Sequence, residues 1–193
     1  MEVNNYSFMK VGGSLLGWPA LIPALEAQIA TVRQPVVLLF GGGVMVDLLR
    51  DLDRVYCLGE KTSHWIAIDT LDLIARAMVA AMPSWKLWLE VGAPSGNGVF
   101  VVAPATFCRW DARQNPVDCL PESWAATSDS IALRMATVWG FESLTLLKAT
   151  GGMKAVSDST SESWDGLVDE EFAKLTKKSG APRFIRLVSL IPR

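Results

Sequence analysis

Two apolar runs in this chain each break into consecutive glycines, and that pairing restricts the possible folds more than any other feature. The first reads Phe8-Met9-Lys10-Val11-Gly12-Gly13-Ser14-Leu15-Leu16, and the second reads Pro35-Val36-Val37-Leu38-Leu39-Phe40-Gly41-Gly42-Gly43. Short, continuous apolar runs without alternation suit strands covered on both faces, as in a parallel sheet flanked by helices. Glycine lacks a Cβ and accepts φ > 0, so a strand that ends in glycines lets backbone N–H groups converge on an anion. Neither turn matches GxxxxGK[ST], and neither reads as GxGxxG followed by a ribose-binding acid, so the standard P-loop and dinucleotide fingerprints are absent.

The spacing between the runs predicts a βαβ unit: strands over Tyr6 to Val11 and Val36 to Phe40, with a helix from Leu21 to Val32 and a right-handed crossover. Further helices are expected over 44–52, 64–82 and Ser130 to Trp139. The second of these carries Trp65, Ile68, Leu71, Ala75, Met78 and Met82 along one stripe. Lys86 to Val91, Val99 to Ala103 and Ser143 to Lys148 read as strands. Cys108 to Trp124, rich in Pro, Asp and Asn, reads as a loop able to cover a site. Gly151 to Gly166 reads as a long loop, Val168 to Lys178 as a helix and Phe184 to Ile191 as a closing strand. The expected architecture is a three-layer α/β/α sandwich on a mainly parallel sheet, formed by residues 1–193 as one domain.

Composition narrows the function. Half of the 193 residues are hydrophobic, yet no uncharged apolar stretch is long enough for a membrane span; the best candidate, 64–82, is interrupted by Asp69, Asp72 and Arg76. The opening Met-Glu-Val-Asn-Asn lacks the regions of a signal peptide, which predicts a cytoplasmic location. A formal net charge of −2 gives no global reason to bind nucleic acid or an anionic membrane, and the eight tryptophans are not interleaved with basic residues. Cys57, Cys108 and Cys119 form no CxxC, and with a single histidine they make a poor metal set, so free and mostly buried thiols are expected.

An anion site must therefore be local. Lys10 lies inside an apolar strand, where an unpaired charge is costly, so it should emerge at the strand end and meet an anion. Ser14 can bind a phosphate oxygen or cap the turn that follows. Gly41, Gly42 and Gly43 suggest close backbone approach of a ligand. Asp47 and Arg50 either hold polar parts of that ligand or form a surface i,i+3 pair. His64, expected at the start of the long helix, is a cap, a packed ring or a ligand of an acceptor phosphate. Thr127-Ser128-Asp129-Ser130 precedes an apolar helix and has the composition of an N-cap. If Lys10 and Lys148 lie nearby, Asp129 can orient both ammonium groups, an arrangement useful for phosphoryl transfer.

These pieces resemble the amino acid kinase superfamily. The resemblance rests on MKVGGSLL, VVLLFGGGVMVDLLR, TSDSIALRMA and LTLLKATGG in that order, spanning about residues 8 to 152. It implies an ATP- and Mg2+-dependent kinase, dimeric or larger, with nucleotide near the C-terminal part and acceptor near the N-terminal part. On that resemblance, Lys10 neutralises the transferring phosphoryl group, Gly12 and Gly13 donate N–H groups to it, Asp129 organises the lysines, and Ser14, Lys148, Thr150, Gly151 and Lys154 belong to the nucleotide side. Gly41 to Gly43, Asp47, Arg50, His64 and Ser128 belong to the acceptor side. The SHWIAIDTLD and LPESWAATSDSIA segments and the short length look most like an archaeal-type subgroup related to methanofuran biosynthesis, whose acceptor is an aminomethylfuran methyl phosphate. Gly152-Met153 departs from the acidic residue usual in the family, and a late glycine-methionine-lysine segment is not recognisable, which leaves Lys148 or Lys154 to supply a second catalytic lysine.

The expected activity is transfer of the γ-phosphoryl of ATP to a small phosphate-bearing acceptor, with Val44, Met45 and Trp65 packing against a small ring. The alternatives are an amino acid or carbamate kinase making an acyl phosphate, and a ligand-binding or regulatory protein on the same fold.

Overall fold

The computed structural model describes residues 6–149, 154–156, 166, 168–178 and 180–191. Strands β1 (Ser7–Val11), β2 (Val36–Phe40), β3 (Lys86–Trp88), β4 (Val99–Val102), β5 (Ser143–Lys148), β6 (Lys154–Val156) and β7 (Phe184–Ser189) form one sheet in the order β3-β4-β2-β1-β5-β7-β6. Every neighbouring pair is parallel except β6 with β7. The helices are α1 (Leu21–Ile29), α2 (Gly43–Tyr56), α3 (Glu60–Ala81), α4 (Ala105–Gln114), α5 (Ser128–Trp139) and α6 (Glu170–Leu175), with a 3-10 turn at Gly13–Leu15. Among the described residues no helix is long and apolar enough to cross a membrane.

The continuous apolar strands are covered on both faces, as their composition requires. Phe8, Val37, Leu39, Leu144 and Leu146 pack against residues of α3, α4, α5 and α6, while Met9, Val11, Leu38, Phe40 and Leu147 pack with Leu15 and with Leu21 and Leu25 of α1. Alternation along a strand places Lys10 on the face of Phe8, and Lys148 on the face of Leu144 and Leu146. Both lysines thus point toward the layer that contains α5.

Several boundaries depart from the expectations. The Cys108 to Trp124 stretch is not all loop, because α4 occupies its first part. Its polar residues read as coil, but Phe107, Cys108 and Asp111 turn inward, and Asp111 is held by Arg134 of α5 at 2.8 Å from both Nε and Nη2. Gly151 to Gly166 contains β6, whose pairing with β7 over Lys154↔Leu187 is a tertiary contact. The long central helix begins at Glu60, so His64 lies a full turn inside it. The helix expected over Val168 to Lys178 is shorter, and the strand from Lys86 ends at Trp88. Cys108 is buried as expected, but Cys57 is exposed at the left-handed C-cap of α2, with φ 52°, and Cys119 is half-buried; all three are free.

Candidate active site

In an open parallel sheet, ligands bind beyond the carboxyl ends of the strands, where successive connections leave to opposite sides. Here β1 is that point, because its neighbours are β2 on one side and β5 on the other. The chain leaves β1 through Gly12 and Gly13, leaves β2 through Gly41 to Gly43, and ends β5 at Lys148, so three of the predicted pieces arrive at one edge.

The two glycine turns pack on each other, backbone to backbone. A Cβ on Gly13 would lie 2.2 Å from the Gly43 nitrogen, and one on Gly43 would lie 2.4 Å from the Gly13 oxygen. A Cβ on Gly41 would lie 2.8 Å from the Gly13 nitrogen and 2.9 Å from the Ser128 Oγ. Gly43 has φ +53°, the left-handed region that favours glycine. Turn-on-turn packing therefore demands these glycines before any ligand arrives, a requirement additional to the close ligand approach expected from sequence.

Beside this junction lie Lys10, Asp129 and Lys148. Lys10 Nζ is 2.8 Å from Asp129 Oδ1, and Lys148 Nζ donates to Asp129 Oδ2 at 2.5 Å. Lys10 is 3% exposed and Asp129 4% exposed, so the pair is withdrawn from water. Burial pushes the Lys10 pKa below its ordinary value despite the Asp129 carboxylate. Burial also pushes Asp129 upward, but the Lys10 and Lys148 ammonium groups outweigh it and hold the carboxyl below the usual range. The cluster, with one carboxylate between two ammonium groups, carries a net positive charge aimed at the glycine turns.

Asp129 is not the helix cap. Thr127 occupies that position, its Oγ1 accepting from the Asp129 N–H at 3.3 Å, which frees the Asp129 carboxylate for the lysines. A residue 40 positions downstream fixes the same turn. Asp169 caps α6 by accepting from the Phe172 N–H at 2.8 Å, and it also accepts from Thr127 Oγ1 at 2.5 Å, from the Ser130 N–H at 3.3 Å and from Ser130 Oγ. Sequence reasoning missed this role, since an Asp before Glu-Glu reads only as a local cap.

A cleft of about 250 Å3 opens beside the turns, lined by Gly13, Ser14, Gly42, Gly43, Asp47, Arg50, His64 and Ser128 among the expected residues. Gly12 and Gly41 lie behind it: Gly12 donates to the Leu147 carbonyl and Gly41 to the Val11 carbonyl, each at 2.8 Å. Ser14 sits within the 3-10 turn, whose N-cap is Gly12. Asp47 and Arg50 are paired at 2.8 Å and still face the cleft, so the two readings of that pair coexist. Thr150 and Gly151 lie outside the described residues, and of Lys154 only its place in β6 is described.

The apolar wall differs from the expected one. Val44 and Met45 are exposed on the far side of α2, and Trp65 is turned away to donate to Glu122 at 3.1 Å. Val46, Ala67, Ile68, Leu71, Ile131 and Trp124 form the wall instead. The reason is helical phase: Val46 and Arg50, four residues apart, share the face that meets the cleft, whereas Val44 and Met45 do not. Trp124 is the most consequential omission. Its ring lies under the Arg50 guanidinium, 4.9 Å from centroid to Cζ, and its Nε1 donates to Asp53 at 2.8 Å. The signal was its place in the loop four residues before Ser128.

Three consecutive residues pin that loop over the cleft. Glu122 accepts from Trp65 and pairs with Lys61 at 2.5 Å, the Ser123 carbonyl accepts from His64 Nδ1 at 3.1 Å, and Trp124 reaches Asp53. Donation to a carbonyl requires the proton on Nδ1. Burial pushes the His64 pKa below its ordinary value, so the ring is neutral at pH 7 and adds no charge to the cleft. Among the residues lining the cleft, positive charge comes from Arg50.

No protein-family model matches the chain. It is similar to the [5-(aminomethyl)furan-3-yl]methyl phosphate kinase of Methanocaldococcus jannaschii, 25% identical over 129 residues that span 65% of this chain and 57% of that protein. The chain thus matches little more than half the length of that relative. Among solved structures, the UMP kinase of Bacillus anthracis superposes with a TM-score of 0.62 at 10% identity, covering 96% of this chain and 87% of the other. The UMP kinase of Ureaplasma parvum gives 0.58 at 12% identity, covering 97% and 100%, and the uridylate kinase of Archaeoglobus fulgidus gives 0.58 at 14%, covering 95% and 92%. The sheet order and these likenesses show that the chain has the fold of those uridylate kinases.

Proposed function

We propose that the protein transfers the γ-phosphoryl group of ATP to a small phosphate-bearing acceptor. The observation that carries this reading is the buried Lys10–Asp129–Lys148 cluster at the carboxyl ends of β1 and β5, set against two glycine turns. Phosphoryl transfer needs positioning and charge stabilisation more than it needs a base. Lys10 faces the transferring group and stabilises the charge that develops on its oxygens, Asp129 holds both ammonium groups in register, and Lys148 faces the nucleotide side. The Gly13 N–H and the Ser14 hydroxyl bind phosphate oxygens, whereas the Gly12 N–H is already taken by the Leu147 carbonyl. The donor set fits a nucleotide phosphate chain, since ammonium and N–H groups predominate. Mg2+ bound with the phosphates supplies further charge neutralisation.

On the acceptor side, Gly42, Gly43, Ser128 and Arg50 surround an anion while Trp124, Ile68, Leu71 and Ile131 enclose a small apolar body. A cleft of about 250 Å3 suits a small ring better than a nucleotide. The similarity to the archaeal furan kinase favours an (aminomethyl)furan methyl phosphate, converted to its diphosphate. A panel with ATP, Mg2+ and the furan phosphate, isopentenyl phosphate, uridylate, acetylglutamate and aspartate tests this. Turnover dominated by the furan phosphate is expected; dominant turnover of either amino acid refutes the phosphate acceptor, and no ATP binding by calorimetry at millimolar concentration refutes the kinase.

A further inference from the structure

The cleft wall is electrically balanced. Among the residues that line it, only Asp47 and Arg50 carry charge, and their signs are opposite. His64, the third titratable group there, is neutral at pH 7 because burial lowers its pKa. An acceptor that carries phosphate alone gains Arg50 but meets the Asp47 carboxylate on the same wall, and like charges in one small cleft repel. Asp47 therefore works against a purely anionic acceptor, unless the acceptor brings a cation of its own.

The pair is also arranged so that it can open. Arg50 Nη1 donates to Asp47 Oδ1 at 2.8 Å, and among the described residues no other hydrogen-bond donor meets that carboxylate. The Asp47 side chain is 64% exposed and that of Arg50 41%, so water screens the pair and it holds little energy. Arg50 has a second anchor in the Trp124 ring, 4.9 Å from its Cζ, which keeps the guanidinium in place when the carboxylate turns to another cation. Position along α2 sets the distance between the two ends of a ligand. Gly43 opens the helix at the second glycine turn, and Asp47 follows four residues later, about 6 Å along the axis. Val46, Ile68 and Leu71 supply apolar surface to the same cleft.

We propose that Asp47 reads a cationic group on the acceptor, which makes the acceptor a zwitterion: a small apolar body with a phosphate monoester at one end and an alkylammonium group about one helical turn away. The inference rests on the phosphate-acceptor reading given above and adds the charge of the far end. The ammonium replaces Arg50 as the partner of the carboxylate, and Arg50 is released toward the phosphate. An aminomethyl substituent on a furan methyl phosphate meets this description. Isopentenyl phosphate and uridylate, which carry no ammonium group, do not.

The test compares two acceptors with ATP and Mg2+: [5-(aminomethyl)furan-3-yl]methyl phosphate, and the analogue whose aminomethyl group is replaced by methyl. The analogue keeps the phosphate and the ring and lacks only the cation. The parent protein should favour the amine by at least about tenfold in kcat/KM, the discrimination typical of one charge-assisted contact. Asp47→Asn should abolish that preference by lowering kcat/KM for the amine while leaving the methyl analogue unchanged or improved. Its melting curve should match the parent's, because the side chain is exposed. If Asp47 only steadies Arg50, the variant loses both acceptors alike, and that result overturns the proposal. A parent that uses both acceptors equally also overturns it, and in either case the kinase reading stands. Failure of both acceptors to bind in calorimetry and to turn over overturns the phosphate-acceptor reading and this inference together.

Discussion

Replacing Asp129 by asparagine should damage folding as well as catalysis. Asp129 is the carboxylate between Lys10 and Lys148, at 2.8 and 2.5 Å, and both it and Lys10 are almost fully buried. Removing one member of a buried ion pair leaves an uncompensated charge and typically costs about 3–5 kcal/mol. For a chain of this size each kcal/mol lowers Tm by about 2–4 °C, so Asp129→Asn should melt roughly 6–20 °C below the parent. Lys10 already has a lowered pKa because of burial, and losing its counter-charge lowers it further. A lysine whose folded pKa is depressed binds fewer protons folded than unfolded, so stability rises as pH climbs through that folded value toward the unfolded one. The variant should therefore regain part of its loss in alkaline buffer, relative to the parent at each pH. Adding Lys10→Met should restore stability at pH 7 while activity stays absent, because the second change removes the stranded charge. Circular dichroism melts at neutral and alkaline pH measure both effects. A variant that melts with the parent, or a deficit that neither pH nor Lys10→Met reduces, refutes the electrostatic account.

Other expectations follow from the same geometry. Gly13→Ala and Gly43→Ala should each destabilise by more than about 1 kcal/mol, because their Cβ atoms would fall within 2.4 Å of backbone, whereas Gly17→Ala meets nothing within 4 Å and should fold normally in urea titrations. Asp169→Ala should cost about 0.5–2 kcal/mol as a lost cap and lower kcat more than it raises either KM, since it frees the turn that carries Asp129; an unchanged kcat in folded protein would leave it a cap alone. Trp124→Leu should raise the acceptor KM without changing the KM for ATP. His64 has a depressed pKa in the folded chain, so its contribution to stability is present above its unfolded value and is lost as pH falls below about 6.5. His64→Asn should flatten that acid slope, and an unaltered slope would show that the imidazole does not report its burial.

The amino-acid sequence determined the sheet and its loaded edge. Continuous apolar runs such as Val36–Phe40 cannot leave a face in water, so they specify buried parallel strands, and β2 and β5 have the bounds that their composition predicted. The glycines after β1 and β2, the lone lysine in β1 and the Ser/Thr/Asp cluster before α5 were also legible, because each is a local departure from what a strand or helix otherwise tolerates. Only the tertiary structure decided which departures meet. Lys10, Asp129 and Lys148 are far apart in the chain and converge because β1 and β5 are neighbours with parallel register, Lys10 opposite Leu146. The cleft wall was misread at Val44, Met45 and Trp65 because an apolar residue on an amphipathic helix signals burial without saying against what. Asp169 and Trp124 were invisible for the complementary reason: their partners lie 39 to 71 positions away, and no local pattern records a hydrogen bond closed by folding.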